Sequence, residues 1–352
     1  MQNPFTTTFS KLPEYTYIYR EETAEILENF SYQKPSESVY KITGVRGSGK
    51  TVILAKIEEE LRNMGKDWIV LDINSNRDML QQIAAMLNNE GFGKIIPKGR
   101  SLSISASVLG TGGGLGISEE KDTQFFDIGV EIDCMFQKAQ KNNKKILIGI
   151  DEVSKTPEMI RFASEFGKWL RAGYPVYLVC TGLYENINEV SNVKNLTFFL
   201  RATTIKAGPL DFTGMVESYK KNLNIDSSEA QRLAKLTKGY AYAFQIMGVL
   251  YFRKNEKKSI DDIIPEFKSE LFAYSYEKIS EELSEGDRFL ISLMIDKDEY
   301  KRAEMLQLMG DKSKNYSVYR DRLLKKGLLA ERQGYISFSL PFFKDFAAEY
   351  IA

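Results

Sequence analysis

The sequence predicts an α/β protein: a parallel-sheet core, then a small helical segment, then a closing module of three helices and a β-hairpin. Three observations carry this. Apolar strand-like runs alternate with helix-like stretches from residue 1 to 209, the pattern of a parallel sheet wrapped by helices. A glycine-rich turn joins the strand at 38–43 to an amphipathic helix. Past residue 283, helical periodicity gives way to two short alternating runs around Gln333-Gly334, a hairpin signature.

Composition narrows the function classes. With 352 residues the chain can bury more than one core, and 43% hydrophobic with 27% charged residues is the balance of a globular protein. Lys+Arg and Asp+Glu are 48 each, so any nucleic-acid contact has to come from a local patch. The absence of histidine excludes imidazole bases and His-containing metal sites. The two cysteines, Cys134 and Cys180, sit in apolar surroundings and are expected to be small core residues in a reducing compartment. The N-terminal residues lack a leader pattern and no long apolar run occurs, so a cytoplasmic location with no membrane contact is expected.

In chain order, residues 3–13 form an extended arm, either a surface feature or a wrap around a bound base, and a helix runs from Tyr19 and Arg20 to about Phe30. The strand at 38–43 leads into Gly44-Val45-Arg46-Gly47-Ser48-Gly49-Lys50-Thr51. In a turn of this pattern the backbone N–H groups wrap nucleotide phosphates, Lys50 neutralises β/γ charge and the Thr51 hydroxyl ligates Mg²⁺. The helix that follows points its N-terminus at the anion.

A second buried strand spans 68–73 with Asn74 at its end, and a helix covers 78–89. Residues 98–120 turn Ser- and Gly-rich and predict a β-hairpin insertion; a second phosphate loop there would lack the Lys-Thr ending. After a helix at 122–141, the run 145–150 ends in Asp151 and Glu152, where an open α/β sheet binds its ligand. Asp151 is the expected carboxylate partner of Thr51 at Mg²⁺, and Glu152 the group that polarises an attacking water. Beyond a helix at 159–171, the strand 176–180 ends at Thr181, which either senses the γ-phosphate or caps a helix starting near Tyr184. Arg201, ahead of a last strand at 203–207, is either a snorkelling surface residue or an arginine finger.

The combination resembles the AAA+ superfamily, and more narrowly the prokaryotic origin-recognition-like ATPases that shade into STAND-type switch ATPases. Carrying the likeness are Asn3-Pro4-Phe5-Thr6 with Arg20-Glu21, the loop from Gly44 to Thr51, the strand ending in Asp151-Glu152, Thr181-Gly182 in the first-sensor place, and Phe199-Leu200-Arg201 before Gly208-Pro209-Leu210. The resemblance implies an ATPase core to about residue 209, a helical lid over 210–282 and a winged helix over 283–352. Its lid landmark is similar to Gly239-Tyr240-Ala241-Tyr242, although Ala241 replaces the family's Pro, no arginine occupies the second-sensor place, and Tyr19 replaces a Gly. Tyr240 and Tyr242 are otherwise core aromatics of a helix.

After a basic linker at 253–259 and a helix at 263–282, the closing module is expected as helices at 285–295, 302–309 and 314–327, then strands at 328–332 and 335–340. This is a winged helix-turn-helix with 314–326 as recognition helix and Gln333-Gly334 as wing tip. Lys312, Lys314, Tyr316, Tyr319, Arg320, Arg322 and Gln333 would meet duplex DNA, while Val318, Leu323 and Leu324 point inward. The functional expectation is an ATP- and Mg²⁺-dependent ATPase switch that couples nucleotide state to DNA. Catalysis would rest on Lys50, Glu152, Thr181 and Arg201, the arginine acting in its own or a neighbouring subunit. The alternative is a nucleotide-dependent module that recruits a protein partner.

Overall fold

The computed structural model describes residues 3–8, 12–65, 67–93, 127–254 and 259–352; the expected insertion at 98–120 lies outside them. Five parallel strands, β1 (Val39–Thr43), β2 (Trp68–Asn74), β3 (Lys145–Asp151), β4 (Val176–Gly182) and β5 (Thr203–Lys206), stand in the order β2-β3-β4-β1-β5. All of β1 and β4 is buried, which explains the apolar run of β4 and leaves Lys41 as the one charged residue of β1. Register does the positioning: Thr43 pairs with Gly182, Ile150 with Cys180 and Asn74 with Asp151, so the carboxyl ends of β1 to β4 meet at one edge.

One face of the sheet packs against helices Met79–Asn89, Ile128–Lys141 and Pro157–Arg171, the other against Glu21–Ser31 and Lys50–Asn63. Pro157–Arg171 is capped by Thr156, whose side chain accepts from the Met159 N–H, with Pro157 in the first turn where its missing N–H costs nothing. Cys180 is buried as expected, whereas Cys134 is exposed on its helix and is not a core residue.

Helices Phe212–Leu223, Ser227–Thr237, Ala241–Arg253 and Ile260–Leu271 follow, continued by a π-helical turn, Phe272–Tyr276, and by Glu277–Glu281. The closing module contains Glu285–Ser292, β6 (Glu299–Lys301), Arg302–Met309, a 3₁₀ stretch Gly310–Asn315, Tyr316–Lys326, β7 (Leu329–Arg332), β8 (Tyr335–Phe338) and Phe343–Tyr350. Its antiparallel sheet has the order β6-β8-β7, and the β7–β8 turn places Gln333 and Gly334 at φ +52° and +79°, the left-handed pair a tight hairpin needs. The helical segment and this module share a single apolar cluster that also takes in Phe5, Ile18 and Val45. Phe5 is 3% exposed and lies where a Cβ on Gly248 would sit, 2.2 Å from its ring, so this end of the arm is core and not surface.

Candidate functional site

The turn after β1 is built by glycines that no other residue could replace. Gly47 and Gly49 have φ of +77° and +89°, and a Cβ on Gly47 would lie 2.3 Å from the Tyr240 hydroxyl. Lys50, first residue of helix Lys50–Asn63, donates from Nζ to the carbonyls of Gly44 at 3.0 Å and Val45 at 3.1 Å, and burial brings its pKa down to about 8. Ser48 Oγ is buried without a hydrogen-bond partner among the described residues. Thr51 Oγ1 donates to Asp151 Oδ2 at 2.8 Å, and Thr181 Oγ1 donates to Asp151 Oδ1. The Glu152 N–H donates in turn to Thr181 Oγ1 at 3.2 Å, while Glu152 itself is exposed with φ +53°. Thr181 is therefore committed to the two acids; the helix Tyr184–Ser191 has Leu183 at its N-cap.

These groups open onto a cavity of 420 Å³ lined by Arg46, Lys50, Thr51, Asp151 and Glu152 at one end and by Thr6, Tyr17, Leu210 and Gln245 at the other. Gln245 closes the second end: its Oε1 accepts from the Thr6 N–H at 3.0 Å, and its Nε2 donates to Thr16 Oγ1 at 3.0 Å. The buried Arg20 holds the loop from behind, donating to the carbonyls of Ser48 at 2.7 Å and Gly208 at 3.1 Å. An adjoining cavity of 380 Å³ shares Thr51, Asp151 and Glu152 and adds Glu58 and Asp72. Burial, reinforced by Asp72, pushes the Glu58 carboxyl up to about 7.

The helical segment and the closing module also grip the loop. Tyr240 donates its hydroxyl to the Arg46 carbonyl at 2.6 Å, and the Tyr242 N–H donates to the Gly47 carbonyl at 3.1 Å, so Tyr240 is both a core aromatic and a loop contact. Helix Ala241–Arg253 starts here, with Ala241 and Tyr242 lining the cavity where a second-sensor arginine was missing from the sequence. The Arg46 guanidinium pairs with Glu282 at 3.0 Å. Lys326, at the end of Tyr316–Lys326, donates to the Glu282 carbonyl at 2.9 Å and pairs with Glu185 of the core at 2.7 Å, while Lys206 donates to the Leu324 carbonyl at 2.7 Å. Glu282 and Lys326 carry no motif and were missed in the sequence.

The structure thus brings Gly44 to Thr51, Asp151, Glu152 and Thr181 together. Arg201 is elsewhere: it is exposed at the end of helix Thr197–Arg201, does not line the cavity, and makes no hydrogen bond or ion pair among the described residues. The expected DNA face needs correction. Tyr316 is 2% exposed and belongs to the core, whereas Val318, expected inside, is 60% exposed. Tyr319 packs against Gly286, Arg322 Nε donates to the buried Asp287 at 2.6 Å, and Arg320 pairs with Glu331 and Asp321. Tyr319 and Arg322 turn inward because Gly286 and Asp287 of helix Glu285–Ser292 receive them, whereas Arg320 is held at the surface by its two acids. Lys312, with its ammonium 4.3 Å from the Phe289 ring centroid, Lys314 and Gln333 remain exposed.

The residues suit a magnesium nucleotide: a glycine cradle that side chains would fill, an orphaned Ser48 hydroxyl, a lysine resting on loop carbonyls, and a Thr51–Asp151 pair of hard oxygen donors. Among the described residues no group of three or more His, Cys, Asp or Glu could hold a metal ion by itself, and no helix is long and apolar enough to cross a membrane. A family model described as "Domain of unknown function (DUF8462)" matches residues 270–347. No curated protein matches the sequence. Among solved structures, the chain is similar to a Walker-type ATPase of Pyrococcus abyssi (13% identity, 97% of this chain and 99% of that one, TM-score 0.62). It is also similar to the ORC2 protein of Aeropyrum pernix, solved as ADPNP–ADP complexes (12% identity, 98% and 95%, TM-score 0.57). With its five-stranded parallel sheet followed by helices and a small terminal antiparallel sheet, the chain shares the fold of these two proteins over nearly its whole length.

Proposed function

We propose that the protein binds Mg-ATP in the 420 Å³ cavity, hydrolyses it, and uses nucleotide state to set the position of its winged helix. Lys50 and the N–H groups of residues 44–51 bind the phosphates, and Thr51 and Asp151 would hold the magnesium. When bound, that ion would supply positive charge against the charge developing on the phosphates. Thr181 orients both acids, and Glu152 takes the proton of the attacking water as its oxygen bonds to the γ-phosphorus and the bond to ADP breaks. Because Arg201 is absent from its own cavity, it serves a neighbouring copy.

The observation that carries the coupling is Arg46, which lines the cavity yet is paired with Glu282, the residue whose carbonyl takes Lys326 of the winged helix. Phosphates offer Arg46 a denser negative charge, so their arrival frees Glu282 and loosens the module. Small-angle scattering tests this: Mg-ATP should expand the wild-type profile, and Glu282→Gln without nucleotide should reproduce the expanded profile. An unchanged profile in both would rule the coupling out.

DNA contact is proposed for Lys312, Lys314 and Gln333. A protein partner is the second reading, favoured by Val318 and Leu308, 60% and 49% exposed on the two helices of the helix-turn-helix. A salt titration of duplex binding separates them. Two lysine contacts predict a log–log slope near −0.9 per phosphate, about −2 in total; no binding at low salt leaves the protein-partner reading.

A further inference from the structure

Lys41 stands where a strand needs no charge. It is the middle residue of β1, flanked by β4 and β5, and is 3% exposed. Its register neighbours are Cys180 and Thr204, among which an uncharged side chain would be accommodated. No carboxylate pairs with it among the described residues. Instead Nζ donates to the Phe199 carbonyl at 2.6 Å and lies 5.2 Å from the centroid of the Phe199 ring. Burial lowers its pKa, the sign of an ammonium kept from water at some cost.

What the lysine secures is the end of helix Thr197–Arg201. The last carbonyls of a helix lack intrahelical partners and carry its negative pole, so a cation there fixes the terminal turn. Phe199 is fully buried, and the next two residues, Leu200 and Arg201, are exposed. One buried hydrogen bond therefore sets the base from which an exposed, unpartnered guanidinium projects. The same strand runs on through Thr43 into Gly44, so the subunit's own phosphate loop and its outgoing arginine hang from one element.

We propose that Lys41 is a positioning residue for Arg201, holding the Phe199 carbonyl so that the guanidinium is presented to the nucleotide of a neighbouring copy. The inference rests on the reading of Arg201 as an inter-subunit arginine, and mixing experiments on the full chain test the two separately. Arg201→Ala and Glu152→Gln should each be inactive in phosphate release, yet recover activity when mixed, because the intact arginine of one serves the intact acid of the other. Lys41→Met should lose at least about tenfold in kcat, a part of what a finger arginine supplies, with nucleotide Kd unchanged. Mixed with Glu152→Gln it should recover; mixed with Arg201→Ala it should not, since neither chain then presents the arginine. Lys41→Gln, which keeps an N–H donor, should recover part of the rate and serves in the same pairs if the methionine variant does not fold.

Recovery of Lys41→Met with Arg201→Ala but not with Glu152→Gln would mean that the lysine supports its own active site, overturning the assignment. Wild-type activity in Lys41→Met would do so as well. An active Arg201→Ala, or a silent Arg201→Ala and Glu152→Gln mixture, removes the arginine reading and the proposal with it.

Discussion

Glu152→Gln is expected to keep nucleotide bound while cutting γ-phosphate release by about 10²–10⁴-fold, the range for loss of a positioned general base. The substitution is nearly isosteric, and what holds the residue in place is its backbone: the N–H donates to Thr181 Oγ1 at 3.2 Å, with φ at +53°. A left-handed conformation in a side-chain-bearing residue carries strain and persists only where its surroundings enforce it. Glutamine keeps that geometry and leaves the Thr51–Asp151 contact intact, so phosphates and metal donors are untouched. Single-turnover phosphate release alongside fluorescent-nucleotide titration checks the split. Equal loss of binding and rate would instead assign Glu152 a ground-state role.

Asp287→Ala should destabilise the protein by about 3 kcal/mol, the lower end for breaking a buried ion pair. Asp287 is 0% exposed; Oδ1 accepts from Arg322 Nε at 2.6 Å, and Oδ2 lies 3.2 Å from Lys326 Nζ while accepting from the Ser284 N–H at 3.1 Å. Its removal breaks one half of the capping box of helix Glu285–Ser292, leaving the Ser284 cap in place, and takes one anionic partner from Lys326, which keeps Glu185, while Arg322 at 30% exposed can still reach water, so the cost stays at the low end. Asp321→Ala, which removes an exposed partner of Arg320, should change stability by no more than about 0.5 kcal/mol. Urea unfolding of both variants, compared at equal m, decides whether the buried acid organises the module.

The phosphate-loop edge of the sheet was legible because its geometry is local. Gly44 to Thr51 and the Asp151-Glu152 strand end each specify their geometry within a few residues, and a parallel sheet brings strand ends together without further instruction. Helix Tyr316–Lys326 was not legible in the same way. Its inward face is Tyr316, Leu323 and Lys326, but polarity pointed to Val318, because the acid that turns Arg322 and Lys326 inward stands on another helix. Three-residue β6 is too short for any periodicity to announce. Glu282 gave no signal, since a carboxylate at a helix end acquires meaning only from the Arg46 that folding delivers to it.

The apolar cluster common to the helices from Phe212 to Glu281 and the closing module has a mechanical consequence. Segments that share one close-packed core are tied to each other, and through Val45 this core reaches the phosphate loop as well. The link back to the parallel sheet is short. Gly208 is anchored to the core, its carbonyl by Arg20 and its N–H by Glu22 at 2.6 Å, while Leu210 is anchored to the lid through the Gly239 carbonyl at 2.8 Å, leaving Pro209 between the two mountings. Beyond it, the Tyr242 N–H meets the Gly47 carbonyl. Val45 in the shared core and Tyr242 on Gly47 therefore fasten the phosphate loop to the same body that carries the Gln333-Gly334 hairpin.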